Sequence, residues 1–189
     1  MLHTVKVPAS EVAAVAELEA LGFGVVDVNV TLERTGFDGV ASPSVAVATP
    51  EQHDALLDVA GSCFRYSRFH LDPHIPRESA DRVKREWVRS YVEGRRGIEL
   101  LASGTDGFLA VLEAPDGARV IDLVGVATSA QGRGAGEALV VAFAARHGGG
   151  GRTLRVGTQV ANVPSLRLYE KLAYRIVGAT YVLHRHVGL

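Results

Sequence analysis

The segment Val120–Gly136 (VIDLVGVATSAQGRGAG) constrains the fold more than any other part of the chain. Its apolar run, Val120–Val126, predicts a strand, and the glycine-rich stretch Gln131–Gly136 follows after a short polar link. Apolar residues at helical spacing from Leu139 onward then predict a helix, which ends at a second run of glycines. The segment is therefore a predicted strand, glycine-rich turn and helix.

A turn of this kind suits a bound phosphate group. The first backbone N–H groups of a helix lack partners within the helix and lie at the positive end of its dipole. Glycine lets a ligand approach the backbone closely, because no Cβ stands in the way. The stretch lacks the Gly-Lys-Ser/Thr of a P-loop, and its G-x-G-x-G spacing departs from the dinucleotide-binding G-x-G-x-x-G. The residues alone leave two alternatives, a phosphate- or pyrophosphate-binding loop and a turn that merely joins a strand to a helix.

Two motifs resemble the signatures of the GNAT N-acetyltransferase superfamily. The turn with Gln131, Gly134 and Gly136 resembles its acetyl-CoA pyrophosphate loop, Gln/Arg-x-x-Gly-x-Gly/Ala. Further along, Asn162–Tyr174 (NVPSLRLYEKLAY) resembles the second signature, N-x-x-A/S-x-x-x-Y-E-K-x-G-F. One position departs from this signature: Ala173 replaces the glycine that commonly ends this helix in a left-handed cap.

The resemblance implies an α+β GNAT fold, with a mixed, mostly antiparallel sheet flanked by helices. We expect residues 1–42 to be an N-terminal extension and residues 43–189 to be the acetyltransferase domain. Periodicity, caps and turn residues predict the elements within them. The predicted helices are Ser10–Leu21 with Ser10 as its cap, Thr49 to about Phe64, Arg77–Gly94, one after the glycine-rich turn, and Pro164–Leu172. The predicted strands are Val25–Leu32, Val45–Ala48, a meander of Ile98–Ala102, Gly107–Glu113 and Arg119–Val126, then Arg152–Gln159 and Tyr174–Val187. Thr35–Pro43 is a predicted turn or linker. The charged residues of the Arg77–Gly94 helix are expected on a solvated face, that is Arg77, Arg82, Lys84, Arg85 and Arg89.

Composition narrows the function classes. The chain has 189 residues and a formal net charge of −1, which gives no basic surface for nucleic acid or membrane. No stretch approaches the ~20 apolar residues of a membrane span, and the N-terminus lacks the features of a signal peptide. The single cysteine, Cys63, excludes an internal disulfide, and we expect it to be a packing residue in a helix. These features predict a cytoplasmic protein. The resemblance implies a small-molecule amine as substrate, and the sequence leaves a monomer and a homodimer both open.

The resemblance assigns an acetyl-CoA site without a metal. The expected contacts are strand backbone at Leu123, Val124 and Val126, including an oxyanion-hole N–H, and the side chain of Asn162, which also caps its helix. The pyrophosphate is expected to meet backbone amides of the turn, that is Gln131, Gly132, Arg133, Gly134, Ala135 and Gly136.

Two residues are candidates for catalysis. Tyr169 matches the tyrosine that protonates the departing CoA thiolate in many members of the superfamily, although its alternative role is core packing. Many members place a glutamate as base on the fourth or fifth strand, whereas this chain offers only Asp122 nearby. Asp122 can relay a proton or bind the acceptor, or it can be a structural carboxylate, and the sequence leaves both roles open. The missing glutamate favours an acceptor amine of low basicity, because such an amine needs no strong base.

A narrower resemblance concerns the acceptor. Ser67–Phe69, Leu154–Asn162 and Ala179–Arg185 together resemble the dTDP-fucosamine acetyltransferases, which act on the 4-amino group of a dTDP-linked 6-deoxyhexose. It implies that Arg65, Tyr66, Arg68 and Gln159 bind a nucleotide-linked amino sugar, the arginines through its diphosphate. The alternative for the Arg65–His70 stretch is an ordinary solvent-facing loop. The alternatives are acetylation of another small amine or of a peptide N-terminus, and a non-catalytic module that senses acetyl-CoA.

The histidines give no metal site in the sequence. His184 and His186 share a strand face, but no further ligand is apparent near them in the chain, so a surface or edge-strand position is expected.

Overall fold

The computed structural model describes residues 1–37, 39–40 and 42–188. It confirms the α+β class and the mixed sheet. Eight strands are hydrogen-bonded in the order β1-β8-β2-β7-β6-β5-β4-β3. The chain divides into two compact units: residues 1–32, 65–77 and Gly157 onward form the first, and residues 33–64 and 78–156 form the second. Part of the turn predicted at Thr35–Pro43, at Asp38 and Ala41, lies outside the described residues.

The first unit holds the first and the last strand of the described chain. Its strands are β1 (Leu2–Pro8), most of β2 (Gly24–Thr35) and β8 (Arg175–His186), and its helices are α1 (Val12–Ala20), α3 (Arg68–Leu71) and α6 (Val163–Lys171). Strand β1 pairs antiparallel with β8, from Leu2 opposite His186 to Pro8 opposite Thr180. Sequence analysis missed β1 and α3. The predicted Ser10 cap is also wrong, since α1 begins after Glu11 and has no side-chain cap.

The second unit is built on the predicted meander. It holds β3 (Ala46–Val47), β4 (Glu99–Ser103), β5 (Gly107–Glu113), β6 (Arg119–Val126) and most of β7 (Thr153–Gln159). Strands β3 to β6 pair antiparallel in sequence order, and β7 runs parallel to β6 as expected after a helical crossover. Its helices are α2 (His53–Ala60), α4 (Arg77–Val92) and α5 (Ala135–His147), and the 3-10 turn Pro50–Gln52 precedes α2.

The core of the second unit lies between α2, α4 and the meander. Leu56, Val88 and Phe108 are fully buried in it. Helix α2 ends at Ala60, so Cys63 lies in the turn after the helix rather than within it. Cys63 still packs against this core, as expected. Burial raises the pKa of its thiol to about 12.

One charged residue of α4 departs from the prediction. The arginines and Lys84 of this helix were expected on a solvated face, yet Lys84 is 6% exposed. Its ammonium lies 4.9 Å from the ring centroid of Phe64 and 4.6 Å from that of Trp87. Aromatic faces attract a cation through their quadrupole and replace part of its hydration. Lys84 therefore belongs to the buried side of α4.

Candidate functional site

The glycine-rich turn has the conformation that an anion-binding loop needs. After β6, residues Thr128–Ala130 form a 3-10 turn, and α5 then begins at Ala135 with Gly134 as its N-cap. Gly132 and Gly134 adopt positive φ of 76° and 88°. A Cβ at either position would meet no atom of the described residues within 4 Å, so the backbone there faces open space. The amides that begin the 13-residue helix α5 follow directly.

One side-chain hydrogen bond holds the turn against the end of β6, and most of the turn residues are exposed. The amide Nε2 of Gln131 donates to the carbonyl of Val126 at 3.0 Å, which ties the turn back to the end of β6. Arg133 is exposed, and the chain is half-buried at Ala135 and Gly136. The predicted pyrophosphate residues therefore form one exposed turn at the N-terminus of α5, a geometry that suits a bound phosphate group.

Strand β6 carries the predicted backbone contacts for the acyl donor. It pairs with β5 along its whole length, but its register with β7 covers only Arg119–Ile121, opposite Leu154–Val156. Leu123 faces the core, whereas Val124 and Val126 are half-buried.

Asp122, on the same strand, is held by three donor side chains. Its Oδ2 accepts hydrogen bonds from Trp87 Nε1 at 2.8 Å, Tyr91 Oη at 2.6 Å and Arg96 Nε at 2.8 Å. Its Oδ1 accepts from Arg96 Nη2 at 3.2 Å. Burial first, and then the hydrogen bond to this carboxylate, raises the pKa of Tyr91. Of the two roles left open by the sequence, these contacts favour the structural one.

The second signature lies in the first unit and forms helix α6. Asn162 is its N-cap, with Oδ1 accepting from the backbone N–H of Ser165 at 3.3 Å, so the predicted cap is confirmed. Its Nδ2 lies 3.4 Å from Thr158 Oγ1. Ala173 adopts φ of 63°, so the turn keeps the left-handed form of the signature without its glycine.

Tyr169 lies on the buried side of α6. It is 2% exposed, and its ring packs edge-on against Tyr174 with centroids 5.7 Å apart. Burial raises the pKa of its phenol, so the group stays protonated at neutral pH. A proton donor has to be protonated before the reaction, and this state is compatible with the predicted acid role as well as with packing.

The four predicted acceptor residues differ in their surroundings. Arg65 and Tyr66 are exposed, whereas Arg68 begins α3 and is partly buried. The guanidinium of Arg68 stacks 4.6 Å from the ring centroid of Phe69, and its Nε is buried without a hydrogen-bond partner in the described part of the chain. Burial lowers the pKa of Arg68, while the charge of Asp27 opposes that shift.

Asp27, on β2, is an acidic residue that sequence analysis missed. It is 6% exposed, and burial raises the pKa of its carboxyl to about 6. Contacts with Gln159 and with the backbone of Val28, and then the charges of Arg68 and Lys6, partly oppose that rise. Asp27 thus joins two of the predicted acceptor residues in one polar cluster. Nothing in the strand pattern distinguished it, since its neighbours lie far away in the chain.

The positions of His184 and His186 contradict the expected surface or edge-strand role. Strand β8 lies between β1 and β2, and His184 is 3% exposed. Both imidazoles contact Asp72, which supplies the further potential ligand that the sequence did not reveal. Burial would raise the pKa of Asp72, but hydrogen bonds from both histidines and from the backbone of His74 outweigh it and hold the pKa below its ordinary value.

The sheet and its glycine-rich turn define an α+β protein with a strand–turn–helix unit whose open turn suits a bound phosphate group. The pattern of the Acetyltransferase (GNAT) family matches residues 56–174, and the chain belongs to this family. None of the helices in the described part of the chain is both long and apolar enough to cross a membrane.

Two curated relatives align with nearly the whole chain. The spore coat polysaccharide biosynthesis protein SpsD of Bacillus subtilis is 27% identical over 191 residues, which cover 95% of this chain and 65% of the relative. The dTDP-fucosamine acetyltransferase of Escherichia coli O6:H1 is 28% identical over 186 residues, which cover 95% of this chain and 80% of the relative. The chain thus spans less than two thirds of the length of the first relative.

Solved structures confirm the fold. A GCN5-related N-acetyltransferase from Sphaerobacter thermophilus superposes with a TM-score of 0.64 at 17% identity, covering 97% of this chain and 60% of that one. A conserved protein of unknown function from Staphylococcus epidermidis superposes with a TM-score of 0.68 at 17% identity, covering 97% of this chain and 72% of that one.

Proposed function

We propose that this protein is an acetyl-CoA-dependent N-acetyltransferase whose acceptor is the amino group of a nucleotide-linked sugar. The observation that carries the proposal is the open turn Gln131–Gly136 at the N-terminus of α5, in a chain that belongs to an acetyltransferase family. The names of the two relatives, a polysaccharide biosynthesis protein and a nucleotide-sugar acetyltransferase, support the sugar acceptor.

The residues of the turn fit the pyrophosphate of acetyl-CoA. Gly132 and Gly134 leave room for a close approach, and the first amides of α5 supply donors for phosphate oxygens. Acetyl-CoA, the acyl donor of this family, supplies an acetyl thioester. Backbone of β6 at Leu123, Val124 and Val126 is proposed to hold the pantetheine arm and to donate one N–H to the carbonyl oxygen of that thioester. Asn162 is proposed to contact the same arm while capping α6.

The proton transfers are assigned to two buried groups. Tyr169 is proposed to supply the proton for the leaving thiolate, which suits a phenol that burial keeps protonated. Asp27 is proposed to take the proton from the acceptor amine, because a carboxylate with a pKa of about 6 is ionised at neutral pH and retains some basicity. The acetyl group passes directly to the amine, without an acetylated enzyme.

The acceptor is assigned to the polar cluster of the first unit. Arg65, Tyr66, Arg68 and Gln159 are proposed to bind the nucleotide sugar. The guanidinium of Arg68 carries an Nε without a partner among the described residues, which is proposed to donate to a phosphate oxygen. The weakly basic amine of an amino sugar suits a site whose base is a carboxylate.

The test is thiol release from acetyl-CoA with a dTDP-4-amino-4,6-dideoxyhexose, in parallel with aminoglycoside, polyamine and peptide amines. We expect release that depends on the nucleotide sugar. Arg68→Gln should raise the KM for that sugar at least about tenfold and leave the KM for acetyl-CoA unchanged, whereas the exposed control Arg175→Gln should change neither. Thiol release with another amine would refute the sugar as acceptor but remain consistent with an acetyltransferase. A protein that binds acetyl-CoA but acetylates none of these amines would refute catalysis and favour a sensor.

A further inference from the structure

Three potential metal ligands from two distant parts of the chain meet in the first unit. Asp72 Oδ2 lies 2.6 Å from His184 Nδ1 and 2.8 Å from His186 Nε2. One ligand atom from each of the three residues lies within 4.8 Å of the others. Both imidazoles thus point at the same carboxylate oxygen, although the two residues lie 112 and 114 positions from Asp72 in the chain.

The carboxylate is held in this orientation by the backbone. Its other oxygen, Oδ1, accepts a hydrogen bond from the N–H of His74 at 2.9 Å. The ring of His74 in turn packs against that of His186, with centroids 5.1 Å apart. Metal-ligating groups are oriented by outer contacts of this kind, which fix their direction before an ion arrives.

A pocket opens onto the three side chains. It has a volume of about 490 Å³ and is lined by residues 22–26 and 72–74 together with His184 and His186. The side chains of Asp72 and His184 are 0% and 1% exposed, whereas that of His186 is 17% exposed and gives access from the pocket. Buried ionisable groups of this kind are found paired or bound to metal ions.

We propose that Asp72, His184 and His186 form a site for a divalent transition-metal ion, Zn²⁺ in the first instance, with a fourth coordination position open to the pocket. Two imidazole nitrogens and one carboxylate oxygen form a ligand set that suits Zn²⁺, and three protein ligands leave room for water or an added ligand. Tetrahedral bonds of about 2.0–2.1 Å place ligand atoms roughly 3.3 Å apart. The two nitrogen–oxygen separations therefore have to widen by only about 0.5–0.7 Å, and the two nitrogens already lie within 4.8 Å of each other. The bound ion would replace the protons now shared between the imidazoles and the carboxylate.

The site is independent of acetyl transfer. It joins the segment around Asp72 to strand β8 within the first unit, and none of its three residues belongs to the proposed acetyl-CoA or acceptor sites. Zn²⁺ would cross-link two parts of the chain that are far apart in sequence. An ion that binds only the folded state raises its stability in proportion to the logarithm of the free ion concentration.

The test uses tag-free protein that has been treated with a chelator and transferred to chelator-free buffer. Calorimetric titration with Zn²⁺ should give one ion per chain with a Kd below about 10 µM, and Zn²⁺ should raise Tm. His186→Ala, which removes a partly exposed side chain, should weaken binding at least about 100-fold, and Asp72→Asn should do the same. The control is His3→Ala, which removes an exposed histidine on β1 outside this cluster.

Co²⁺ gives a second readout that does not depend on activity. The wild-type protein with one equivalent of Co²⁺ should develop visible d–d absorption, which Zn²⁺ abolishes and His186→Ala prevents. Circular dichroism would establish that His186→Ala is folded. If Asp72→Asn does not fold, the binding measurements on His186→Ala decide the outcome. Absence of saturable Zn²⁺ binding below 1 mM, or an equal Kd in wild type and folded His186→Ala, would overturn the proposal.

Discussion

Replacing Asp122 with alanine separates the two roles that the sequence left open for this residue. The side chain of Asp122 is 11% exposed and accepts four hydrogen bonds, from Trp87, Tyr91 and twice from Arg96. Its removal leaves the phenol of Tyr91, a 7% exposed residue, and the indole N–H of Trp87 without their acceptor. If the role is structural, the variant loses stability. If it is catalytic, the variant loses turnover.

The magnitude follows from the partners. A buried donor left unsatisfied costs about 1–3 kcal/mol, which applies to the Tyr91 hydroxyl. The indole N–H of the half-buried Trp87 adds a cost near the lower end of that range. The Arg96 side chain is 38% exposed, so its ion pair adds less than about 1 kcal/mol after solvent screening. We expect a total destabilisation of about 3–4 kcal/mol. For a chain of this size that corresponds to a fall in Tm of roughly 6–16 °C.

Trp87 is the one tryptophan of the sequence, so its fluorescence reports unfolding and the local change together. Thermal unfolding of Asp122→Ala should be compared with that of Asp106→Ala, which removes an exposed aspartate from the turn before β5 and should shift Tm by less than about 2 °C. Below its Tm, Asp122→Ala should keep kcat within about fivefold of wild type. An unchanged Tm with a kcat reduced at least 100-fold would refute the structural role.

Four further outcomes follow from single contacts. Tyr169→Phe preserves the packing against Tyr174 and should lower kcat at least tenfold while the Kd for acetyl-CoA stays constant; an unchanged kcat would exclude the phenol as the acid. The pKa of Asp27 is raised to about 6 in the folded state, so the wild-type protein should lose stability as pH rises from 4 to 7. Over that range, chemical denaturation should show Asp27→Asn gaining roughly 1–2 kcal/mol of stability relative to wild type. A stability difference that does not change with pH would contradict the raised pKa. With a thiol pKa of about 12, Cys63 should react with iodoacetamide at pH 8 roughly 1000-fold more slowly in the folded protein than in guanidinium, and equal rates would contradict its burial. Gly97→Ala places a Cβ 2.5 Å from the carbonyl oxygen of Val111 and against the Tyr91 ring, so it should lower the free energy of unfolding by at least about 3 kcal/mol. The control Gly94→Ala, also at positive φ but with no atom of the described residues within 4 Å, should lower it by about 1–2 kcal/mol. Equal losses would mean that backbone strain alone acts at both sites.

Sequence reasoning recovered the elements whose signals are local. The meander, the strand–turn–helix unit and α6 each carry their periodicity, caps and turn residues within a short stretch, and the structure has them within a few residues of the predicted bounds. It missed β1, because Leu2–Pro8 is mostly exposed and becomes a strand by pairing with β8 at the other end of the chain. It misjudged Lys84, because the burial of that ammonium depends on the rings of Phe64 and Trp87.

The residues of the candidate sites also differ in whether a local sequence signal predicts them. The turn Gln131–Gly136 and the cap at Asn162 follow from local motifs, since backbone conformation and capping are determined within a few residues. Asp27 and the cluster around Asp72 could not be found, because their partners come from strands and turns far away in the chain. Only the fold brings these side chains together.

Three largely buried aspartates show how surroundings, rather than residue type, separate the proposed roles. Asp122 receives four hydrogen bonds from neutral and cationic donors, which leave it little capacity for a ligand. Asp27 has a pKa of about 6, because burial outweighs its contacts with Gln159 and Val28, and it is the proposed base. Asp72 accepts hydrogen bonds from two imidazoles, and these donors can exchange a proton for a metal ion. If the three were equivalent, their replacement would have one common effect. We expect instead a loss of stability at Asp122, a change in pH dependence at Asp27 and a loss of Zn²⁺ at Asp72.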